Sequence, residues 1–572
     1  MAKKLNIFSK EYFLNILRIY HNNNPHEKIN KHPVIQRLKK SKKSFISRKN
    51  FIGHLTVSAI VLDNSLSKLL LVGHKLLKKY IQPGGHISKS DKTFWQSAYR
   101  ELEEETGISD VFFLPVDDKM EDVPFDIDIH KIPKNKNKNE PEHFHIDFRY
   151  LFIKDNNSDK IEINKEEIND VVWLMIERFS QIDQEKLRLA KKIKKIIFLN
   201  RDKIFFNKIT RVFSINLNHV NLVAVLHIVP DIVSFVNFLR KLVKKIIIIP
   251  KPNSISYKVL SNIPKEIIHF ISREELKKEK VLKNLFKDNQ KYCIIDIGGY
   301  FATREFVNFN NKTKKIIGVV EDTENGHKRY EKIVDILNFP VISVARSELK
   351  QNEDDLVGYS VAFYTEWVIR KLRFLPRYMN CGIIGYGKLG KGIAKYLFNQ
   401  NIKPYVYDTD PIRLVEAIKD GCLPVSKDKI LLSSKLLFCA TGNLSLGTND
   451  FLKISPGFFI ASVTSSDDEF NLENIDKYFK KTVEDQFIVK YENENTYFYL
   501  INNGNTVNFI DKEGDRVSDF IRLVQAEILY SLSKFTKEEI KVNFLINETT
   551  KDEKRTIASL FLDSYGFFLD KG

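Results

Sequence analysis

Hydrophobic and polar positions alternate with unusual regularity in one stretch of the first 200 residues, HFHIDFRY. His143, His145, Asp147 and Arg149 fall on one face of the strand that this pattern predicts, and apolar residues fall on the other. We expect the apolar face to join a core, and the polar face to line a substrate cleft or else solvent. Two histidines, an aspartate and an arginine in alternation favour the cleft, where His143, His145 and Arg149 are placed to hold phosphate oxygens.

Other apolar runs predict the elements around this strand. One or two short helices with a basic connector are expected within residues 1–50, packed on the first domain or on a partner. A Lys-rich helix is expected near residues 184–197. Strands are predicted at HLTVSAIVLD, SKLLLVGHK and KYIQPGGH, which start at residues 54, 67 and 79, and at VVWLMIERF, residues 171–179.

From about residue 221 the pattern changes to buried strands that alternate with helices. The strands are NLVAVLHIVP, KKIIIIPKP, KYCIIDIGG and KKIIGVVEDT, and PDIVSFVNFLRKL reads as a helix. This alternation predicts a parallel α/β sheet. A second such unit begins at CGIIGYGKLGKGIAKYL, which reads as a strand, a glycine loop and a helix.

Composition narrows the class of protein. A chain of 572 residues is too long for one core, and no apolar run approaches the roughly 20 residues that a membrane helix needs. Four cysteines without pair or metal spacing predict a reduced, cytosolic protein. The net charge of +18 and the basic run RLKKSKKSFISRK could indicate nucleic-acid binding, but the asparagine-rich, lysine-biased composition argues against it.

The stretch GGHISKSDKTFWQSAYRELEEETGI, residues 84–108, carries the first candidate chemistry. It predicts a glycine turn and a helix that ends at Gly107. Spacings of three and four residues place Glu101, Glu104 and Glu105 on one helical face, where their charges repel. Three crowded carboxylates are suited to a hard divalent cation, Mg²⁺ or Mn²⁺, although a solvated acidic face is the simpler alternative.

These residues resemble the Nudix hydrolase box, and the second half of the motif, from Arg100 to Ile108, matches at every position. The first half departs from it: Asp91 stands where the family has glutamate, and eight residues instead of seven precede Arg100. The resemblance implies metal-dependent hydrolysis of a nucleoside diphosphate linked to another group, with Glu104 or Glu105 able to accept a proton from the attacking water.

The second candidate chemistry is a dinucleotide site. Gly385, Gly387 and Gly390 satisfy G-x-G-x-x-G between a predicted strand and helix. Asp408 follows 23 residues after Gly385, at the end of YVYD. A carboxylate at this position hydrogen-bonds the ribose of NAD and disfavours the extra phosphate of NADP.

Residues 221–535 resemble S-adenosylhomocysteine hydrolase in the order LHIVP, DIGG, VVEDTENG, ARSELKQNEDDLVG, GYGKLGKG, DTDP, ATGN and GNTVNF. The resemblance implies a Rossmann NAD-binding domain beside a split substrate domain, and a homo-oligomer that assembles through this half. It also implies active-site roles for Lys350, Asp354 and His227, and NAD contacts for Thr323 and Asn508.

Several positions depart from that family. Ile297 occupies the place of a catalytic aspartate, and Ser465 the place of a substrate-contacting histidine. An isoleucine cannot accept the hydrogen bonds of a carboxylate. Cleavage of S-adenosylhomocysteine itself is therefore disfavoured, which leaves NAD chemistry on a different nucleoside or binding without turnover.

The sequence as a whole predicts a multidomain α/β protein: an N-terminal Nudix-type α/β/α mixed sheet, then a split α/β substrate-type domain with an inserted Rossmann domain. The predicted segments are residues 1–50, 51–205, 206–375, 376–505 and 506–572. We expect a cytosolic enzyme in which both halves meet related nucleotides, in modified-nucleotide metabolism or nucleotide-depleting defence. The alternative is a regulatory or assembly protein whose C-terminal half senses NAD or a nucleoside and gates the Nudix half.

Overall fold

The computed structural model describes residues 8–75, 78–134, 140–155, 161–164, 166, 168–463, 469–472, 475–510, 518–537 and 546–566, so Ser465 lies outside the described residues. The chain divides into two compact units, one of residues 1–212 and 560–572 and one of residues 213–559. Among the described residues, no helix is long and apolar enough to cross a membrane. All four cysteines are buried free thiols.

The first unit is built on one mixed sheet with helices on both faces. Its helices are α1 Lys10–Asn23, α2 Pro33–Lys40, α3 Phe94–Thr106, α4 Ile176–Ser180 and α5 Gln184–Val212. Its strands are β1 His54–Leu62, β2 Lys68–His74, β3 Lys79–Ile81, β4 Gly84–His86, β5 Val111–Phe113, β6 Asp126–Ile132, β7 His143–Lys154 and β8 Ile168–Met175.

Two parallel central strands, β1 and β7, organise this sheet. β2 and β4 pair antiparallel with β1, and β5 and β6 pair antiparallel with β7. The alternation of side chains sends Val57 and Phe148 to one face, where they pack with Leu102 of α3. Ile60 and Leu151 point to the other face and pack with Ile193 of α5.

The N-terminal helices belong to this core. Phe13 of α1 stacks on Phe45 and Phe148, and the Tyr12 hydroxyl donates a 2.6 Å hydrogen bond to Asp122. Of the two expectations for residues 1–50, packing on the first domain is the one that the structure shows. The Lys-rich helix continues to Val212, beyond the expected residue 197, because the apolar run around Phe205 extends its buried face.

The second unit contains two further sheets. The strands of the first are β9 Asn221–Ile228, β10 Lys245–Ile255, β11 Tyr292–Asp296, β12 Ile316–Glu321 and β13 Val341–Ser343. The strands of the second are β14 Cys381–Ile384, β15 Tyr405–Tyr407, β16 Leu423–Pro424, β17 Leu436–Cys439, β18 Phe458–Ser462, β19 Lys480–Asp485, β20 Ile488–Glu492 and β21 Tyr497–Ile501. The chain then returns to the first sheet, where β22 Ile546–Asn547 pairs with β13.

Helices alternate with these strands, as the sequence pattern predicts. They are α6 Val233–Leu242, α7 Tyr257–Leu260, α8 Glu279–Leu285, α9 Arg304–Thr313, α10 Glu324–Glu331, α11 Glu348–Arg370, α12 Lys388–Asn399, α13 Pro411–Lys419, α14 Lys427–Ser433, α15 Thr448–Phe451 and α16 Ile521–Lys534. The last helix, α17 Lys551–Tyr565, begins in this unit, and its residues from 560 onward belong to the first unit.

The first sheet has the order β10-β9-β11-β12-β13-β22 and all its pairs are parallel. The second has the order β16-β15-β14-β17-β18-β21-β20-β19, with antiparallel pairs only around β20. Helices α11 and α12 meet where Gly358 approaches Gly392, since a Cβ on Gly358 would lie 3.0 Å from the Gly392 Cα atom. This close crossing brings the start of α11 beside the glycine loop that precedes α12.

Candidate functional sites

The helix α3 presents the glutamates as the spacing predicts. The Thr93 side chain caps its first turn, and Gly107 ends it in the left-handed conformation at φ +69°. Glu101 is half-buried, Glu104 is exposed, and Glu105 is only 5% exposed. The Glu105 carboxylate accepts a 3.3 Å hydrogen bond from the Gly84 N–H, which ties the helix to β4.

Arg100 bridges the acidic side chains. Its Nη1 atom lies 2.9 Å from Glu101 and 2.8 Å from Glu104, so one guanidinium nitrogen sits between the two carboxylates. Gly85 lies directly beside Glu101, because a Cβ there would lie 2.3 Å from the Glu101 carboxylate, which would have to move. The carboxylate oxygens gathered on this side of α3 are the type of ligand that a hard divalent cation takes.

Asp91 has a supporting position. Its two oxygens lie 3.2 Å from Nε and from Nη2 of Arg100, and it accepts a 2.8 Å hydrogen bond from the Ser88 N–H. Although burial opposes the shift, the hydrogen bond from Arg100 lowers the pKa of Asp91. Asp91 therefore orients Arg100, which in turn holds Glu101 and Glu104.

Arg149 does not have the surroundings expected of a phosphate ligand. Its guanidinium contacts four carboxylates, those of Asp126, Asp128, Asp147 and Glu185, at 3.2, 3.0, 3.5 and 2.9 Å. The side chain is 8% exposed. Because these carboxylates already neutralise the guanidinium, the structure gives Arg149 a structural place in the interior of the first unit.

We predict that Arg149→Met destabilises the protein by about 3–5 kcal/mol, because Asp128 and Asp147 would lose the cation that they share, whereas Asp126 keeps Arg188 and Lys192. Calorimetry of the full chain should show the lowest unfolding transition at a clearly lower temperature. Lys194→Met is the control: Lys194 pairs with Glu177 on the surface, each side chain 57% exposed, and its loss should cost at most about 1 kcal/mol. Equal transition temperatures in the two variants would contradict this role for Arg149.

His143 and His145 contact other histidines. The register pairs His145 with His54 of β1 and with His130 of β6, and pairs Thr56 of β1 with His86 of β4. Ligand nitrogens of His54, His143 and His145 all lie within 4.8 Å of one another. Among the residues described here, the carboxylates of Glu101, Glu104 and Glu105 are not brought this close together.

Burial determines the charge of these rings. Desolvation, with the neighbouring His143, lowers the pKa of His54 to about 4, and burial with the same crowding lowers the pKa of His145 further. His130 behaves differently, since its hydrogen bond to Asp128 raises its pKa. His54 and His145 are therefore neutral imidazoles at physiological pH.

The three glycines of the loop before α12, Gly385, Gly387 and Gly390, have different surroundings. Gly385 adopts φ +95°, where a side chain is strained, and a Cβ on Gly390 would lie 2.1 Å from the Gly385 carbonyl oxygen. Gly387 instead borders open space, because its Cβ would meet nothing closer than Arg413 at 3.7 Å. Such space over the N-terminus of α12 is what the pyrophosphate of a dinucleotide needs, so these residues fit NAD.

The other residues predicted to contact NAD are held in place by hydrogen bonds within the protein. The Asp408 carboxylate accepts a 2.6 Å hydrogen bond from the Tyr386 N–H inside the loop. Thr323 caps α10, and Asn508 accepts a 2.6 Å hydrogen bond from the Thr506 hydroxyl. Gly387, Thr323 and Asn508 line one cavity of about 940 Å³.

The same cavity collects the predicted catalytic residues. Lys350, Asp354 and His227 line it, and Ile297 does as well. The Lys350 ammonium lies 3.1 Å from Asp322 and 3.0 Å from Glu353. Although burial opposes the shift, these carboxylates raise the pKa of Lys350, which stays charged.

Asp354 and His227 have different partners. Asp354 lies 3.2 Å from the Lys388 ammonium at the glycine loop, and His227 Nδ1 lies 2.5 Å from the Ser254 hydroxyl. Glu353 was not predicted from the sequence, although it lies one helical turn after Lys350. Burial raises the pKa of Glu353 to about 7, which suits proton transfer near neutral pH.

Basic side chains cluster at the part of the cavity next to Ile297. Lys251, Arg273 and Arg329 line it, and both arginines donate to the Gly298 carbonyl. A Cβ on Gly298 would lie 3.4 Å from the Lys251 ammonium and 3.5 Å from Arg273 Nη2. We call this group the cationic end of the cavity.

The buried carboxylates nearby are bound by neutral donors. Asp296 accepts from Tyr300 N–H, Phe301 N–H and the Tyr330 hydroxyl. Glu321 accepts from the N–H groups of Gly298, Gly299 and Thr323 and from the Thr323 hydroxyl. Lys251 is 8% exposed, and burial lowers its pKa to about 8. No sequence motif marks the cationic end, because its members come from three separate segments.

Two family models match this chain. Residues 53–197 match the NUDIX domain, and residues 376–513 match the NAD binding domain of S-adenosyl-L-homocysteine hydrolase. Both resemblances carried by the motifs are thereby confirmed, and so is the fold class. These domains imply a divalent cation and NAD, respectively.

Curated relatives match the second half. An S-inosyl-L-homocysteine hydrolase of Methanopyrus kandleri is 24% identical over 330 residues, which cover 56% of this chain and 77% of the relative. An adenosylhomocysteinase of Sulfolobus acidocaldarius is 24% identical over 364 residues, 62% of this chain and 86% of the relative. An adenosylhomocysteinase of Thermotoga maritima is 27% identical over 311 residues, which cover 52% of this chain and 74% of the relative.

Solved structures match a quarter of the chain. A NUDIX family hydrolase from Clostridium perfringens has 23% sequence identity and a TM-score of 0.21, and the match covers 25% of this chain and 97% of that one. An Ap4A hydrolase of C. elegans has 17% identity and a TM-score of 0.20, with coverage of 25% and 95%.

Proposed function

We propose that this chain, which joins a NUDIX domain to an S-adenosyl-L-homocysteine hydrolase NAD binding domain, hydrolyses a nucleoside diphosphate linked to another group. The observation that carries this proposal is the position of Glu101, Glu104 and Glu105 on one side of α3, with Arg100 paired to Glu101 and Glu104. In the reaction, water attacks one phosphorus and the bridging P–O bond breaks. The products are a nucleoside monophosphate and a phosphorylated second group.

The residues of α3 divide the work. Mg²⁺ or Mn²⁺ bound by the three glutamates would neutralise phosphate charge and lower the pKa of a coordinated water. Asp91 orients Arg100, and Arg100 keeps Glu101 and Glu104 side by side. Glu105 is fixed by the Gly84 N–H, and either Glu104 or Glu105 accepts the proton of the attacking water.

A substrate panel tests the first proposal. The full chain is incubated with nucleoside diphosphate sugars, dinucleoside polyphosphates and NAD, in Mg²⁺, in Mn²⁺ or with excess EDTA. Mass spectrometry in ¹⁸O-labelled water identifies which phosphate gains oxygen. Incorporation of ¹⁸O into one product, only when the divalent cation is present, supports the proposal. The absence of cleavage of every diphosphate tested would contradict it.

For the second unit we propose that the cavity binds NAD together with a nucleoside that carries a phosphate. The support is the cationic end, whose three basic side chains suit a fully anionic group better than the zwitterionic homocysteine in the relatives' names. Those names also differ in the base, adenosyl or inosyl. Ile297 offers no proton acceptor, so a ligand other than S-adenosylhomocysteine is proposed.

The chemistry at the ribose follows from the charged residues. Bound NAD supplies a reversible hydride acceptor. Lys350 stays protonated and donates a hydrogen bond to a ribose hydroxyl, while Glu353, with a pKa of about 7, accepts a proton. The ion pair between Asp354 and Lys388 links the helix that carries Lys350 and Glu353 to the glycine loop.

A homo-oligomer formed through this half stays a prediction.

A spectroscopic test separates turnover from the regulatory alternative. NAD released on denaturation supports cofactor binding, and a nicotinamide absorbance that changes when a nucleoside monophosphate is added supports redox turnover. Bound NAD with an unchanged spectrum favours a sensor that gates the first half.

We predict that adenosine 5′-monophosphate or inosine 5′-monophosphate binds roughly 10- to 100-fold more tightly than the matching nucleoside, the contribution expected of charge-assisted hydrogen bonds. Lys251→Met should remove the difference, whereas Lys245→Met, which changes an exposed lysine paired with Asp288, should keep it. Isothermal titration calorimetry measures both. If the nucleosides bind as tightly as their monophosphates, the cationic end does not hold phosphate.

The preference should also depend on pH. The pKa of Lys251 is about 8, so its positive charge is present below pH 8 and lost above it. Burial and Asp296 raise the pKa of Glu321 to about 8, so that carboxyl gains negative charge over the same range. Both changes weaken anion binding, so the affinity for the monophosphate should fall as the pH rises through 8.

A further inference from the structure

Histidines from several strands converge at one end of the sheet in the first unit. β1 contributes His54, β7 contributes His143 and His145, and β4 contributes His86. The ring centroid of His54 lies 4.7 to 5.2 Å from the centroids of the other three rings. Contacts this close require the parallel β1–β7 register, which no local sequence feature produces.

The nitrogen atoms of this cluster are arranged as in ligand sets. The nearest ring nitrogens of His54, His143 and His145 form the triplet within 4.8 Å, and His54 Nε2 lies 3.1 Å from His86 Nε2. Two nitrogens bound at about 2.0–2.1 Å to one tetrahedral zinc ion lie about 3.3 Å apart, close to that separation.

The ring orientations are fixed from outside the cluster. His143 Nδ1 lies 2.8 Å from the Pro141 carbonyl oxygen, so Nδ1 carries the proton and Nε2 keeps its lone pair. His130, which stacks edge-on against His145, is held in the same way by Asp128 at 2.8 Å. Carbonyl and carboxylate partners of this kind accompany metal-binding histidines and set their tautomers.

A purely structural role explains the arrangement of these histidines less well than metal binding does. Burial of several polar rings side by side is costly unless their nitrogens are satisfied. One metal ion shared by His54, His143 and His145, whose ligand nitrogens all lie within 4.8 Å of one another, would satisfy these nitrogens together.

We propose that His54, His143 and His145 bind a first-row transition-metal ion such as Zn²⁺, with His86 able to complete its coordination. Imidazole ligands select Zn²⁺, Fe²⁺ or Ni²⁺ over Mg²⁺, which prefers oxygen. This site is separate from the glutamates of α3. His86 and Gly85 are consecutive residues of β4, so they face opposite sides of the sheet, His86 paired with Thr56 and Gly85 with Val57. Gly85 is the one that lies beside Glu101. The proposal does not depend on diphosphate hydrolysis.

X-ray absorption spectroscopy of the full chain tests the site. The protein is stripped with chelator, dialysed and loaded with one equivalent of ZnCl₂. We expect at least three imidazole nitrogens at about 2.0–2.1 Å from zinc. A shell of oxygens with fewer than three imidazoles would overturn the proposal, whatever the behaviour of variants.

Zinc titration of variants provides the second measurement. His145 is only half-buried, so His145→Gln should fold, and it should lower zinc affinity by more than about 100-fold, because even outer partners of ligands contribute about 10- to 100-fold. Glu105→Gln and His219→Gln, which changes an exposed histidine of the second unit, should bind zinc as the wild type does. Affinity lost in Glu105→Gln and kept in His145→Gln would assign the zinc to the glutamates and reject the histidine site.

Discussion

Replacing Glu105 with glutamine is expected to lower the rate of diphosphate hydrolysis by about 100- to 10,000-fold, the usual contribution of a positioned proton acceptor or ligand. Glutamine has the same shape and keeps an oxygen that can accept from the Gly84 N–H, so the link between α3 and β4 should survive. The change removes only the negative charge. The loss should therefore appear in kcat, with the unfolding temperature close to that of the wild type.

The helix offers a matched control for this experiment. Glu103 is exposed, and it lies two residues after Glu101 and two residues before Glu105. This spacing places it on another side of α3. Glu103→Gln makes the same chemical change two residues away and should leave the rate within about twofold of the wild type, as for surface substitutions in general. Glu104→Gln should behave like Glu105→Gln. Equal rates in Glu103→Gln, Glu104→Gln and Glu105→Gln would remove the assignment of this site.

The contrast between these glutamates and the histidine cluster explains what the sequence could predict. The acidic site lies on one helix, so spacings of three and four residues fix its geometry without knowledge of the fold. The glycine loop is local in the same way, because strand, turn and helix follow one another from Cys381 to Asn399. Local geometry of this kind was predictable together with the fold class.

Contacts between distant segments were not predictable. His54 and His145 are neighbours only because β1 and β7 pair in parallel in one register. A shift of one residue would turn one of the two histidines to the opposite face. The alternation in HFHIDFRY correctly separated the polar face from the apolar face, but it contained no information about which strands lie beside it.

Arg149 shows the same limit for charge. The pattern placed Arg149 on a polar face and suggested a phosphate ligand, but Asp126 and Glu185, which neutralise it, come from β6 and α5. A guanidinium suits a carboxylate as well as it suits a phosphate, so only the tertiary structure distinguishes the two partners. Lys251 and Arg273 at the cationic end were likewise not predictable, because no motif marks them.

Gly387→Ala is expected to lower the affinity for NAD by about 10- to 100-fold, that is by about 1.4–2.8 kcal/mol, while leaving the stability of the protein unchanged. The backbone of Gly387 is at φ −75°, which alanine adopts freely, and the nearest atom to an added Cβ is 3.7 Å away. The methyl group therefore fits the protein, but it occupies the space that the pyrophosphate needs to approach the loop. Gly390→Ala should behave differently, because its Cβ would lie 2.1 Å from the Gly385 carbonyl oxygen and separate β14 from α12.

Gly447→Ala is the matched control for this last experiment. Gly447 lies in the same unit at φ −94°, an added Cβ would meet only Asp450 at 3.8 Å, and the residue is not part of the cavity lining. NAD affinity from calorimetric titration and unfolding temperature should therefore both match the wild type. The expected result is three separate outcomes: affinity lost alone in Gly387→Ala, stability lost in Gly390→Ala, and neither lost in Gly447→Ala. If Gly387→Ala binds NAD as tightly as Gly447→Ala does, the dinucleotide does not approach this loop, and the roles proposed for Asp408 and Lys388 beside it would lose their basis.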